Sequence, residues 1–147
     1  MGLSLGERSI YLDANAIIRF VESQESSITA LFGRAAAGEF RLVTSEMTLA
    51  ECLVVPMRDR DVRLIAGYEG FLQSDETMTV VPVDRAVLRR SAELRARLGG
   101  KTPDAIHCAT AELLSCGIVV SSDKRLRLPD GLRRVDVEDA SLIGRNR

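Results

Sequence analysis

The stretch Ser9-Ile10-Tyr11-Leu12-Asp13-Ala14-Asn15-Ala16-Ile17-Ile18 decides the fold. A short apolar run of β character ends on an aspartate, and an apolar helical pattern begins at once. In an open α/β sheet that junction is the carboxyl end of a strand, where ligands bind. Asp13 is therefore either the cap of the next helix or the first member of a site, and alone it does not decide between them. Asn15, two residues on, reads alone as a local hydrogen-bonding residue.

Outward from this junction the chain alternates. The spacing of Ile28, Leu31, Phe32 and Ala35 predicts a helix closed by Gly38, and Arg41–Thr44 reads as a second strand. Ser45 is placed to cap a helix that Pro56 is expected to stop. A further helix is expected from about Asp59 to Gln73, then a third strand over Thr77–Val83. Asp84 caps the next helix, which Gly99-Gly100 ends; Thr102 and Pro103 then open another as N-cap and first helical residue. Ile118–Ser121 is a fourth strand, and a weak fifth around Arg134–Val137 precedes a polar tail. Strands alternating with helices give one α/β domain over 1–147. Its architecture is a three-layer α/β/α sandwich around a mainly parallel sheet of four to five strands.

With 147 residues the chain is long enough for one full core. Its net charge of -1 supplies no global basic field for a nucleic acid, although a bound cation can supply positive charge locally. The three cysteines, Cys52, Cys108 and Cys116, form no C-x-x-C pair and read as buried free thiols, which suits a reducing cytoplasm. No leader pattern opens the chain, and no stretch approaches the ~18 to 20 apolar residues of a membrane span.

Three further acids join Asp13 as candidates. Glu51 lies among Leu49, Ala50, Cys52, Leu53, Val54 and Val55, where an unpartnered charge is costly to bury. Asp104 opens a helix whose Ala105, Ile106, Cys108, Ala109, Ala111, Leu113 and Leu114 make it apolar nearly all round, hence buried. Asp123 ends the fourth strand, with Ser121 and Ser122 able to orient it or a water. If strands one and four are neighbours, Asp13 and Asp123 open onto one crevice. Each acid alone has a plain alternative as helix cap or surface charge. Clustered carboxylates repel one another unless a cation sits among them. Oxygen donors suit Mg²⁺ or Mn²⁺, the chemistry of phosphodiester hydrolysis. His107, the only histidine, reads as a packed residue and not as a ligand.

These fragments resemble the PIN-domain nucleases, in particular the VapC-like toxins of toxin–antitoxin systems. Tyr11-Leu12-Asp13-Ala14-Asn15 is similar to the family's opening D-x-N, and Thr48-Leu49-Ala50-Glu51 to its helix-borne glutamate. Pro103-Asp104-Ala105-Ile106-His107-Cys108-Ala109-Thr110-Ala111 is similar to its D-A-x-x-A-x-A helix, and Val119–Asp123 to its strand-terminal T/S-x-D. The resemblance covers nearly the whole chain. It implies an α/β/α sandwich, Mg²⁺- or Mn²⁺-dependent RNA cleavage, a homodimer and a small antitoxin partner. Carried over by position, Asp13, Glu51, Asp104 and Asp123 are the catalytic and metal-binding acids, with Asn15 and Ser121 accessory. Ser121 departs from the commoner threonine but keeps the hydroxyl.

Lys101, Lys124, Arg125 and Arg127 are candidates to hold an RNA backbone; a solvated loop surface is the plain alternative. With 4% aromatic residues and no tryptophan, recognition by shape or backbone suits the chain better than base stacking. Two other functions compete with a toxin: a PIN-type nuclease of RNA processing without an antitoxin, and a non-catalytic Mg²⁺-binding regulatory module. A fourth possibility treats every acid as a cap and the domain as an interaction module.

Overall fold

The computed structural model describes residues 8–145. Strand β1 (Ser9–Leu12) sends Ile10 and Leu12 into one core and Tyr11 into another, because successive strand side chains point to opposite faces. The alternation recurs in β2 (Arg41–Ser45), where Leu42 and Val43 divide between the cores. Strands β3 (Met78–Val81), β4 (Ile118–Val120) and β5 (Arg133–Val135) complete a sheet of order β3-β2-β1-β4-β5. All four pairings are parallel.

Helices α1 (Ala14–Ile18), α2 (Ser26–Ala36), α3 (Glu46–Arg58) and α4 (Val62–Phe71) cover the first face. Helices α5 (Arg85–Leu98) and α6 (Thr102–Leu113) cover the second. The result is the three-layer α/β/α sandwich expected from the alternation. The chain winds outward from β1 through β2 to β3, then returns to lay β4 on the other side of β1. That reversal opens a crevice at the carboxyl ends of β1 and β4. Leu12 pairs with Val120 there, so the residues following both strands meet at one edge.

Several boundaries differ from the sequence expectation. Pro56 does not stop α3; it sits buried within it, and the helix runs on to Arg58. A proline so near the end removes only one helical bond, and Asp59 N–H still reaches the Val55 carbonyl at 2.9 Å. The next helix begins at Val62, capped by the Asp61 carboxylate, so it does not start at Asp59. Lys101, not Thr102, is the N-cap of α6, because Ala105 N–H bonds the Lys101 carbonyl at 3.0 Å. Ala105 through Ala111 are buried without a break, but Leu113 and Leu114 emerge at 48% and 39% exposure as the helix leaves the core.

The polar tail carries a 3-10 segment, Val137–Leu142, that buries Val137 and Ala140. Ser141 N–H bonds the Ser27 hydroxyl at 2.8 Å, which ties it to α2. The tail's last two residues, and residues 1–7, over which a leader was not expected, lie outside the described ones. After α1 the chain makes one π-helical turn, Arg19–Ser23, ending on Gln24 at φ 45°. Phe20 on this turn stacks on Phe32 at 3.9 Å, beside an apolar groove of about 410 Å³ between α2 and the start of β3. The three cysteines are free and buried. No helix among the described residues is long and apolar enough to cross a membrane.

Candidate acidic site

Asp13 follows β1 directly, and it caps α1: Ala16 N–H donates to its Oδ1 at 3.0 Å. The Ser121 hydroxyl, at the end of β4, favours its charged form. The same Ser121 oxygen accepts the Asp123 N–H at 3.0 Å, and Asp13 N–H bonds the Val120 carbonyl at 3.3 Å, so the two strand ends are joined beside this buried serine. The Ser121 carbonyl is held in turn by Arg134 at 2.6 Å. Burial raises the Asp13 pKa above its ordinary value despite these hydrogen bonds. Asn15 is exposed on α1.

Asp104 lies in the first turn of α6, half-buried. Its pKa is also raised, first by burial and then by the negative charge of Asp123; Glu51 adds repulsion to both Asp13 and Asp104. No hydrogen bond from another described residue reaches the Asp104 carboxylate. Asp123 behaves in the opposite way. Its Oδ1 accepts the Arg125 N–H at 2.9 Å and the Arg125 Nε at 3.2 Å, and these bonds hold its pKa below the ordinary value.

Glu51 comes from the middle of α3 and is turned toward α6. Its Oε1 lies 2.5 Å from His107 Nε2, and His107 Nδ1 lies 2.6 Å from the Tyr11 hydroxyl. Tyr11 and His107 are buried, and burial raises the phenol pKa well above the ordinary range. His107 is packed, as its sequence context suggests, but it is also the direct partner of a site acid, which that context did not suggest. One signal was present. A lone histidine and a lone glutamate, each within an apolar helix, both need partners, and each is the other's.

The basic residues divide. Arg127 donates from Nη1 to the Leu98 carbonyl at 2.8 Å, and its guanidinium fills the space beside Gly99, where a Cβ would sit 2.6 Å from Nη1. Arg95 bonds the Gly100 carbonyl at 3.1 Å, so two arginines clamp this turn. Arg125 is engaged with Asp123. Lys101 and Lys124 are exposed, and Lys101 lies with Asp104, Arg125 and Arg127 around a water-sized crevice of about 20 Å³.

The four acids share a mutual field without gripping one point. Among the described residues, no three carboxylate, imidazole or thiol groups stand close enough to hold one ion. Three of the acids already have a local partner: His107 for Glu51, Arg125 for Asp123 and the Ala16 N–H for Asp13. The donors are hard oxygens, two of the acids are made less acidic by burial and like charge, and the buried Ser122 hydroxyl has no partner among the described residues. A divalent cation fits that donor set and would relieve its repulsion.

Comparison with known proteins agrees with this geometry. The PIN-domain family model matches residues 10–132. The chain belongs to the PIN-domain family. No curated protein sequence matches it. Among solved structures, VapBC from Salmonella typhimurium bound to DNA is similar at a TM-score of 0.72 and 23% identity, covering 88% of this chain and 98% of that one. VapBC2 from Rickettsia felis, bound to a fragment of its promoter, gives 0.70 at 14% identity, over 87% and 98%. VapC20 from Mycobacterium tuberculosis, a sarcin-ricin loop cleaving toxin, gives 0.63 at 16% identity, over 80% and 92%. At these identities the likeness is one of fold.

Proposed function

We propose that this PIN-domain chain is a Mg²⁺- or Mn²⁺-dependent endoribonuclease and the toxin of a toxin–antitoxin pair. The observation that carries the reading is the placement of Asp13 and Asp123 after the paired ends of β1 and β4, at the switch point of the sheet, with Asp104 and Glu51 within electrostatic reach. Asp13, Glu51, Asp104 and Asp123 would hold the ion. When bound, it supplies an activated water and neutralises charge developing on the phosphoryl group.

The chain's own residues do the rest. The Asp13–Val120 and Asp123–Ser121 bonds keep the two strand ends together, and the clamped Gly99–Gly100 turn fixes the entrance to α6 beside them. Lys101, Lys124 and Arg125 are exposed and able to meet the phosphates of an RNA strand. Asn15, the exposed residue of α1, is placed for an accessory contact.

Partnership has its own support. The toxin–antitoxin assemblies among the structural neighbours motivate an antitoxin. The apolar groove beside Phe20, Phe32 and Phe71 offers a surface for one. Val54, Val55, Met57 and Val62 expose more than half of their area on α3 and α4, which supports a homodimer. Three buried free cysteines suit a reducing cytoplasm.

The test is cleavage of structured RNA with Mn²⁺ by the wild type and by Asp104→Asn. Loss in the variant supports the nuclease; equal rates sink it. Co-purification of a small protein partner separates a toxin from an RNA-processing nuclease that acts alone.

A further inference from the structure

We propose that His107 is a positioning residue of the acidic site: its Nε2–H holds the Glu51 carboxylate, and Tyr11 fixes which ring nitrogen carries that proton. The inference rests on the reading of Glu51 as an ion-binding carboxylate.

Three elements far apart in the chain meet here: β1 supplies Tyr11, α6 supplies His107 and α3 supplies Glu51, at 2.6 Å and 2.5 Å. The Tyr11 hydroxyl, 2.6 Å from His107 Nδ1, donates its single proton to that nitrogen. Nδ1 then acts as acceptor and Nε2 carries the ring proton. An ionised Glu51 only accepts, which is what an Nε2–H requires.

Burial makes the row expensive to leave incomplete. Tyr11 is fully buried and His107 is 3% exposed, so each polar atom lost from the row leaves another unpaired. Glu51 is the one member with appreciable exposure, 32% of its side chain. The row therefore leads from the core to the site, and it ends on a site acid. Holding Oε1 fixes the rotamer of a flexible side chain and leaves Oε2 for another partner. Outer partners of this kind change metal affinity by about 10- to 100-fold when removed.

The experiment titrates Mn²⁺ alone, by calorimetry, into the wild type, His107→Leu, His107→Gln and Tyr11→Phe. Thermal unfolding without metal and the ¹⁵N spectrum of the single histidine accompany it. Loss of the donor in His107→Leu is expected to weaken Mn²⁺ binding about 10- to 100-fold. His107→Gln, which restores an N–H near the Nε2 position, recovers most of it whatever its own melting temperature. Tyr11→Phe falls between, and the spectrum finds the proton on Nε2.

Saturable wild-type binding that a folded His107→Leu leaves unchanged overturns the inference alone. So does a neutral ring with its proton on Nδ1. If His107→Leu does not fold, unchanged binding by Tyr11→Phe together with an Nδ1 proton overturns it equally. A wild type that binds no Mn²⁺ removes the ion-site reading beneath the inference, and the inference with it.

Discussion

Asp13 and Asp123 stand at the carboxyl ends of neighbouring parallel strands beside one serine, yet their acidities move in opposite directions. Asp13 passes straight into a helix under the core, so burial dominates and favours its neutral form. Asp123 passes into an open loop, where the Arg125 N–H and guanidinium favour the charged form. Glu51 is likewise tied inward through His107, whereas Asp104 faces Lys101, Arg125 and Arg127 across the crevice. One side of the mouth is anchored in the core and the other in exposed, basic loops. The same sequence signal, a strand ending on an acid, thus produces two electrostatic environments, and the segment just after each acid sets which one.

The largest expected effect is on the anchored side. Asp13→Asn keeps the cap of α1, because asparagine caps helices as well as aspartate does, but removes the charge. RNA cleavage should fall on the order of 100-fold or more in a single-turnover assay. A rate within a factor of two would break the comparison, because the inner acid would then be only a cap.

Gly99→Ala probes the outer side. Gly99 holds φ +77° and ψ -156°, a region essentially reserved for glycine, and an added Cβ would strike Arg127. Destabilisation of about 1 to 3 kcal/mol is expected in urea unfolding. Adding Arg127→Ala should return only the part due to the collision.

The raised pKa of Asp13 gives a third test with a definite sign. The folded protein binds this proton more tightly than the unfolded chain, so the ionised carboxylate works against folding above the ordinary value of 3.8. Metal-free Asp13→Asn should therefore melt higher than wild type at neutral pH. That advantage should shrink as pH falls and disappear below 3.8, where the carboxyl is protonated in both states. A variant that melts lower than wild type at neutral pH would contradict the assignment of burial as the dominant cause.

Smallest is Lys124→Ala on the outer rim. It should weaken RNA binding evenly across sequences and reduce the salt slope of the affinity by about 1. Folding should be unaffected, as expected for an exposed side chain.

Most of the fold was legible because its determinants are local. Ile10, Tyr11 and Leu12 alternate with the strand period, Ser45 and Asp84 cap as their residue types suggest, and Gly38 ends α2 at φ +87°. Pro56 misled because a proline rule written for helix interiors has little force in a last turn. The tail's burial depended on a hydrogen bond from Ser141 to Ser27, 114 residues away, which no window of sequence reveals.

The site divides in the same way. The adjacency of β1 and β4 follows from the winding of an α/β sheet, so the nearness of Asp13 and Asp123 was within reach of pattern reasoning. The long-range partners that hold His107 and Arg127 were not. Tyr11 and His107 are 96 residues apart, and Arg127 and Leu98 are 29 apart. Side-chain pairing over such distances is decided by packing, where several residues compete for each acceptor.

Calorimetric titration of Mn²⁺ into the wild type and into Asp13→Asn, with RNA cleavage followed in parallel, tests the acidic mouth as a nuclease site most directly. Saturable binding and cleavage in the wild type, both lost in the variant, is the predicted result. Cleavage that survives in Asp13→Asn, or a wild type that binds no Mn²⁺, would contradict it and leave the four acids as helix caps and surface charges.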